Sequence, residues 1–470
     1  MAHSVDIVFI NPPLIWGQEN RLDIKPPLNL IYLASYVNSK GFCGRVIDVI
    51  SEGIGIQEVL NRIAEINPKF IGVPFYQGTR DTALELCQKV KKLKHGIIVI
   101  AGGPLVTTLS DEIVREDSID LCVIGEGELT VEEILRSKSE NWMNIQSLAF
   151  KENGKVYSTA AREPIFDLDS LPFLDFSLIN SKVYYDFQKS LNMPIWLFFS
   201  TSRGCPFKCV FCATPVLWPG KTRRNSVKRV IEEIKYQLSK EPEVNIGFMD
   251  DSFFSDKKWL NDFFTEIEKL KIKYCCIGRA DQLSEAEIKL LAKTGCHYVG
   301  LGVETGNSLR QKKLKKFLNL EKLKFSVDNL ARNGILVKCF FMLGFPDEKP
   351  EEMLETINLA VDLKKLGMSE CNFFSVSIYP GTELAKNFNF SNFSSKIYEK
   401  YDPENRSISV LKNIGEDIGE KRLSIYGNIS GIDINPHYSR EKILDVVKLS
   451  YNKVEKGEYA SLQEMNELCR

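Results

Sequence analysis

Three cysteines, Cys205, Cys209 and Cys212, stand in a C-x3-C-x2-C spacing within the run R-G-C-P-F-K-C-V-F-C. Thiolates this close on one loop can converge on a single metal centre, and thiolate sulfur selects iron–sulfur clusters and zinc. A structural zinc site usually closes with four protein ligands, commonly as two short Cys or His pairs. No second pair stands nearby, because the next cysteines, Cys275 and Cys276, are adjacent and fall in a strand pattern. Three ligands on a four-iron cluster leave one iron open for a small molecule. The competing reading is three core or surface cysteines grouped by chance.

Such a centre needs elements that carry the loop and a crevice beside it. A hydrophobic strand at 196–200 runs straight into the cysteines, and further strands are expected at 245–249, 274–278, 298–303, 337–343 and 373–378. Helix patterns near 227–238, 260–270, 286–293, 320–333 and 352–366 separate them. Six βα units with right-handed crossovers predict a partial (β/α)6 TIM-type barrel over 191–385. Functional groups of such a barrel gather at the C-terminal ends of its strands.

The N-terminal stretch alternates as well. Strands at 5–10, 45–49, 70–73, 97–101 and 121–124 are interleaved with helices at 28–37, 56–66, 82–92 and 129–135. That pattern implies a parallel sheet covered on both faces, a doubly wound, Rossmann-like α/β domain over 1–145. Its ligand crevice should lie at the carboxyl ends of the strands, where Asn11, Gly102, Gly103, Gly125 and Glu126 stand. Glycine lets backbone approach a bulky ligand closely, although either Gly pair alone reads better as an ordinary turn. Residues 146–190 read as a hairpin over 148–159 followed by a linker over 167–176. The tail, 386–470, is expected to be small and mainly helical, with one helix over 439–456. Its stretch 387–401 is rich in Phe, Tyr and Asn, which more often means packing than substrate recognition; its position after the barrel makes it the candidate substrate-selecting cap.

A chain of 470 residues exceeds one ordinary core, so two or three domains are expected. Its 61 basic and 62 acidic residues nearly cancel, which gives no electrostatic argument for nucleic acid or an anionic membrane as partner. No apolar run approaches the length of a membrane span. The N-terminus enters a strand pattern without a basic region or cleavage site, so the twelve cysteines read as reduced thiols in the cytoplasm.

The cysteine spacing behind a strand resembles the radical S-adenosylmethionine (SAM) superfamily. Further fragments follow in that family's order: Asp250-Asp251 at the second barrel strand, Arg279 at the third, and G-V-E-T-G around Glu304 at the fourth. G-F-P-D-E from Gly344 then closes the fifth strand, and Y-P-G-T from Tyr379 the sixth. The resemblance implies a [4Fe–4S] cluster on the three cysteines, with SAM chelating the open iron. Asp250 and Asp251 would hold the SAM amino group, Arg279 its carboxylate and Glu304 its ribose or amino group, with Gly344 near the adenine. Competing roles are a helix N-cap for Asp251 and an ion pair between Glu304 and Arg279. Upstream, N-P-P, G-G-P and I-G-E-G-E resemble the cobalamin-binding domain of B12-type radical SAM proteins, which places cobalamin against Asn11, Gly102, Gly103, Gly125 and Glu126. The D-x-H-x-x-G motif of cobalamin mutases is absent, and none of His3, His95, His297 and His437 has its context. Cobalt without a histidine lower ligand is therefore implied, or a degenerate domain that binds no corrin.

The resemblance implies that the reduced cluster cleaves SAM to a 5′-deoxyadenosyl radical, which takes hydrogen from an unactivated carbon. A corrin ahead of the barrel would deliver a methyl group to carbon or phosphorus of a small-molecule substrate. An electron donor such as flavodoxin or ferredoxin is the expected partner. The alternative keeps both cofactors but catalyses ring contraction, cyclisation or oxidation. A methylthiotransferase is less favoured, because Cys43, Cys87 and Cys122 fall at a strand start, mid-helix and mid-strand. A non-catalytic corrin or SAM sensor would not need the full cluster loop.

Overall fold

The computed structural model describes residues 4–14, 25–94, 96–137, 139–387 and 438–469. Its first sheet has seven strands: β1 (Ile7–Asn11), β2 (Gly44–Asp48), β3 (Phe70–Pro74), β4 (Ile98–Gly102), β5 (Leu121–Val123), β6 (Leu148–Glu152) and β7 (Lys155–Ser158). They lie in the order β2-β1-β3-β4-β5-β6-β7, with β1 to β5 parallel. The two-residue period of a strand explains the two cores on this sheet. Val8 and Ile10 of β1 face one cluster with Ile71, Val73, Val99 and Ala101. Ile7 and Phe9 face the other with Phe70, Ile100, Leu121 and Val123. Helices Ile56–Ile66, Arg80–Leu93 and Pro104–Ile113 cover the first face, and Leu28–Ser39 and Glu128–Arg136 the second. This is the doubly wound arrangement that the alternating pattern implies.

The hairpin is a correction. Expected with the segment between domains, it forms the antiparallel edge of the first sheet, where Cys122 pairs with Ala149. Phe150 packs into the second core and stacks on Tyr157 with ring centres 5.6 Å apart, so burial draws the hairpin onto the sheet. The remaining linker touches both domains. Ser35 accepts the Asp175 N–H at 2.9 Å, and Glu233 on the barrel accepts that of Leu174 at 3.0 Å. Helix Ser181–Ser190, unassigned from sequence, completes it.

The barrel sheet comprises β8 (Trp196–Phe199), then β11 (Asn245–Phe248), β12 (Tyr274–Gly278), β13 (Cys296–Glu304), β14 (Leu336–Leu343) and β15 (Glu370–Ser375). These six strands are parallel and adjacent in chain order, and β8 and β15 form the two edges of the sheet. Between β8 and β11 lies a two-strand ribbon, β9 (Ser202–Arg203) with β10 (Arg223–Arg224). Helices Arg440–Lys456 and Leu462–Cys469 put Ile443, Val446, Val454 and Met465 into the barrel's own hydrophobic core. Tyr451 accepts the Phe373 N–H of β15 at 3.0 Å. These helices thus brace the wall at β15, and Ile443 also covers Gly344 at the end of β14. Of the aromatic stretch expected as a cap, 388–401 lie outside the described residues.

Candidate active site

β8 is buried along its whole length, and the chain then turns into the cysteine loop. Asp250, at the end of β11, fixes that turn. Its carboxylate accepts the Thr201 N–H at 3.2 Å, the Thr201 Oγ1 hydroxyl at 2.9 Å and the Ser202 hydroxyl. Its side chain is buried and committed to these donors at the root of the cysteine loop. Asp251 does open onto the cavity, accepting from Gly204 N–H at 3.2 Å and the Thr214 hydroxyl at 3.0 Å. Its alternative role as a helix cap falls to Asp256, which accepts the Trp259 N–H. Further along, Val210 donates to the Leu314 carbonyl at 3.1 Å and accepts from Leu384 N–H at 2.8 Å. Phe207 lies under the Arg279 guanidinium, 4.0 Å from its ring centre.

The loop leaves Cys205, Cys209 and Cys212 half-buried. Burial pushes the Cys205 thiol up and the Cys209 thiol up to about 11, against the pull of the Lys316 ammonium. Iron must displace those protons. No three described His, Cys, Asp or Glu side chains could hold a single metal ion. A cubane spreads its thiolates over separate irons, and this loop supplies three.

Glu304 does not pair with Arg279. It meets Lys316 Nζ at 2.9 Å, with both side chains nearly buried. A Cβ on Gly302 would lie 2.7 Å from the Glu304 carboxylate and 2.8 Å from Nζ, so glycine there makes room for the pair. Glu304 itself has φ +68° at a register shift between β13 and β14, a backbone state rarely adopted by side-chain-bearing residues. Arg279 instead forks onto Asp281 at 2.7 and 3.0 Å and donates to the Lys316 carbonyl at 2.7 Å. The guanidinium is thereby committed to the protein, and the ammonium beside the cysteines is that of Lys316. Sequence reasoning missed it because K-K-L-K-K-F reads as a solvated charge run.

Gly344, at φ +86°, donates its N–H to Glu348 at 2.6 Å, and Ile443 closes its open side at about 3 Å. Burial pushes the Glu348 carboxyl up to about 7, although Arg310 lies 3.9 Å away. Arg310 pairs with Asp347 and Glu352, each at 2.7 Å, and its buried Nε is left without a hydrogen bond among the described residues.

A cavity of about 390 Å³ opens between the carboxyl ends of both sheets. Gly102, Gly103, Gly125, Glu126 and Gly127 line it from the first domain; Ser202, Arg203, Trp218 and Asp251 line it from the barrel. A Cβ on Gly102 or Gly125 would meet nothing within 4 Å, which leaves a cradle of bare backbone. Gly103 differs: its Cβ would lie 3.2 Å from the Phe75 carbonyl oxygen, so this glycine serves the turn (φ +93°). Asn11 is not in the cavity. It donates to Asp48 at 2.9 Å, and Asp48 also accepts from Tyr184, so the polar group is spent on a buried network. Glu126 reaches across to Arg203 and Arg223. His297 stacks on Trp196 away from the cavity, and His3, His95 and His437 lie outside the described residues. Cys87 and Cys122 are buried in the first domain's core, where they could not help hold a second cluster.

Residues 199–360 match the family model of the radical SAM superfamily, and residues 20–135 match that of the B12 binding domain. An uncharacterized methyltransferase of Pyrococcus horikoshii is 32% identical over 364 residues, covering 76% of this chain and 77% of that protein. The chain belongs to the radical SAM superfamily, with a B12-binding domain ahead of its barrel. This radical SAM protein is also 25% identical over 373 residues to the anaerobic magnesium-protoporphyrin IX monomethyl ester cyclase of Rubrivivax gelatinosus, covering 76% of the chain and 65% of the cyclase. Its fold is similar to that of the radical SAM methyltransferase TsrM from Kitasatospora setae, solved with tryptophan substrate and a SAM analog bound. The TM-score is 0.67 at 17% identity, over 87% of this chain and 76% of TsrM. The residues fit the implied cofactors: three loop thiols for the cluster, an acid–ammonium pair for the amino acid end of SAM, and a glycine cradle for the corrin.

Proposed function

We propose that this B12-binding radical SAM protein is a methyltransferase, moving a methyl group from SAM by way of cobalamin to an unactivated carbon, or a phosphorus, of a small metabolite. The observation that carries the reading is the cavity between the two sheets, lined by the glycine turns of the first domain and, from the barrel, by Ser202, Arg203 and Asp251 at the entry to the cysteine loop. When bound, the cluster and SAM supply a 5′-deoxyadenosyl radical and cobalamin carries the methyl group. Cys205, Cys209 and Cys212 hold the cluster. Glu304 receives the SAM ammonium and Lys316 its carboxylate, and Asp251 accepts a hydrogen bond at the cavity wall. Gly102 and Gly125 let the corrin lie on backbone, while Trp218, Leu217 and Phe199 keep water from the space between. Pro206 and Lys208 are exposed on the cysteine loop, which supports delivery of electrons there by a flavodoxin or ferredoxin in the cytoplasm.

The relation to the Rubrivivax cyclase favours one second reading, in which the same cofactors drive a non-methylating radical reaction. Anaerobic reconstitution with iron, sulfide and hydroxocobalamin, followed by methyl-labelled SAM and candidate metabolites, separates the two. Label passing through cobalamin into product is expected. 5′-Deoxyadenosine with an unmethylated, rearranged product establishes the second reading, and failure to bind cobalamin defeats both.

A further inference from the structure

The turn after β5 reads Gly125-Glu126-Gly127-Glu128; all four residues line the cavity, and both glutamates are also tied to arginines of the barrel. The glycines lie on the cavity floor. Glu126 forms an ion pair with Arg223, lies 3.3 Å from Arg203 Nη1 and accepts the Ile165 N–H at 3.0 Å. Glu128 bonds to Arg203 Nη2. Arg223 donates back to the Ile165 carbonyl at 2.7 Å, which ties the linker into the same knot. Arg203 and Arg223 are cross-strand partners in the β9–β10 ribbon, and both lie within 6 Å of the Trp218 ring. Side-chain exposures of the four charged groups run from 5% to 12%. This is a closed set of two carboxylates and two guanidiniums, taken out of water by both domains and the linker together.

A buried ion-pair network is weak evidence for stability, since the loss of hydration offsets most of the attraction. Its geometry is another matter, because the Arg203 guanidinium reaches both carboxylates at once, with Nη2 hydrogen-bonded to Glu128 and Nη1 3.3 Å from Glu126. Arg203 stands two residues before Cys205, and the intervening Gly204 is pinned to Asp251. A shift of Arg203 is therefore passed to the first cluster ligand. On the other side, Glu126 and Glu128 alternate with the glycines of the cradle. One turn thus touches the corrin floor and the root of the cluster loop at once.

We propose that Glu126 and Glu128, clamped onto Arg203 and Arg223, are positioning residues that set the corrin's distance and tilt relative to SAM. The inference rests on the function proposed above. In the step at issue, the reduced corrin's electron pair forms the new bond to the methyl carbon of SAM. The sulfonium C–S bond breaks, and S-adenosylhomocysteine leaves. Cleavage of SAM to 5′-deoxyadenosine needs the cluster side alone, whereas corrin methylation needs both sides in register. Loosening the clamp should impair the second and spare the first.

The test uses the full chain reconstituted with cluster and hydroxocobalamin, a reductant and methyl-labelled SAM, without added metabolite. Two rates are read: 5′-deoxyadenosine formation and appearance of label in the corrin. In Glu126→Gln/Glu128→Gln the ratio of corrin label to 5′-deoxyadenosine should fall about 10- to 100-fold, as expected for a displacement near 1 Å. Iron and cobalamin content should hold. Should the double variant not fold, Arg203→Lys, which keeps the charge and loses the fork, should lower the same ratio by a smaller factor. Parallel loss of both rates at an unchanged ratio would make the clamp merely structural and overturn the proposal. Loss of cobalamin with iron retained would overturn it too, by making the glutamates corrin-binding groups. A parent protein that takes up iron but no cobalamin would instead defeat the functional reading, a result separable from either.

Discussion

The strand ends of the two sheets work by opposite means. The barrel's ends are crowded with charge: Glu304 on Lys316, Arg279 on Asp281, Arg310 between Asp347 and Glu352. Those of the first sheet keep Glu126 and Glu128 tied to arginines and offer bare backbone at Gly102 and Gly125, with nothing within 4 Å where a side chain would begin. The difference follows from the ligands each side would take. A small zwitterion is recognised by fixed opposite charges, and a broad macrocycle by a surface that stays out of its way. One side should therefore be damaged by removing groups, the other by adding them.

The largest effect belongs to the cysteines. Changing any of Cys205, Cys209 or Cys212 to Ala should abolish cluster absorbance and SAM cleavage together, because three is the minimum that holds a cubane with one open iron. Next comes Glu304→Gln, which should raise the SAM dissociation constant about 10- to 100-fold by equilibrium dialysis, the worth of a charge-assisted hydrogen bond. Cluster absorbance should be intact. On the bare side, Gly102→Val should weaken cobalamin retention roughly tenfold by filling the cradle, a cost of ~1–3 kcal/mol for overpacking. Gly103→Ala should do the reverse, leaving retention in place and costing about 1–2 kcal/mol of stability through its positive φ. Equal effects of the two on retention would erase the distinction between cradle and turn.

Glu348 gives a test by pH. Its folded-state carboxyl is raised by burial to about 7. The folded protein thus holds a proton that the unfolded chain has lost, between about pH 4.5 and 7. Stability should fall as pH rises through that window, by up to about 3 kcal/mol from this group. Glu348→Gln should flatten that slope in thermal melts at pH 5 and 7.5. The smallest effect is expected at Asn11→Ala: about 1 kcal/mol of stability from the lost bond to Asp48, with cobalamin retention unchanged.

What could be read from sequence was local. Short, nearly continuous apolar runs mark all six barrel strands and five of the first sheet, since a strand buried on both faces writes itself into neighbouring residues. The cysteine loop is legible for the same reason, ten residues holding the three ligand positions in one stretch. Partner choice is not local. That Glu304 meets Lys316 and not Arg279, that Asn11 turns to Asp48, and that Gly103 faces Phe75 are decided by which strand ends lie side by side. Asp250 reads as a ligand by its position, and its bonds to the Thr201 and Ser202 hydroxyls are not local either. The hairpin was placed outside the first sheet because its short strands carry no mark of the β5 edge they join.

The staples of the cysteine loop have a consequence for the life of the enzyme in air. Asp250, Asp251, Leu314 and Leu384 hold the loop's entry, middle and exit, and none of these contacts uses a cysteine sulfur. The loop is therefore fastened at backbone, hydroxyl and carboxylate groups, and its sulfurs carry no share of that work. Protein stripped of its cluster by oxygen should keep these contacts and regain cluster absorbance when reductant, iron and sulfide return.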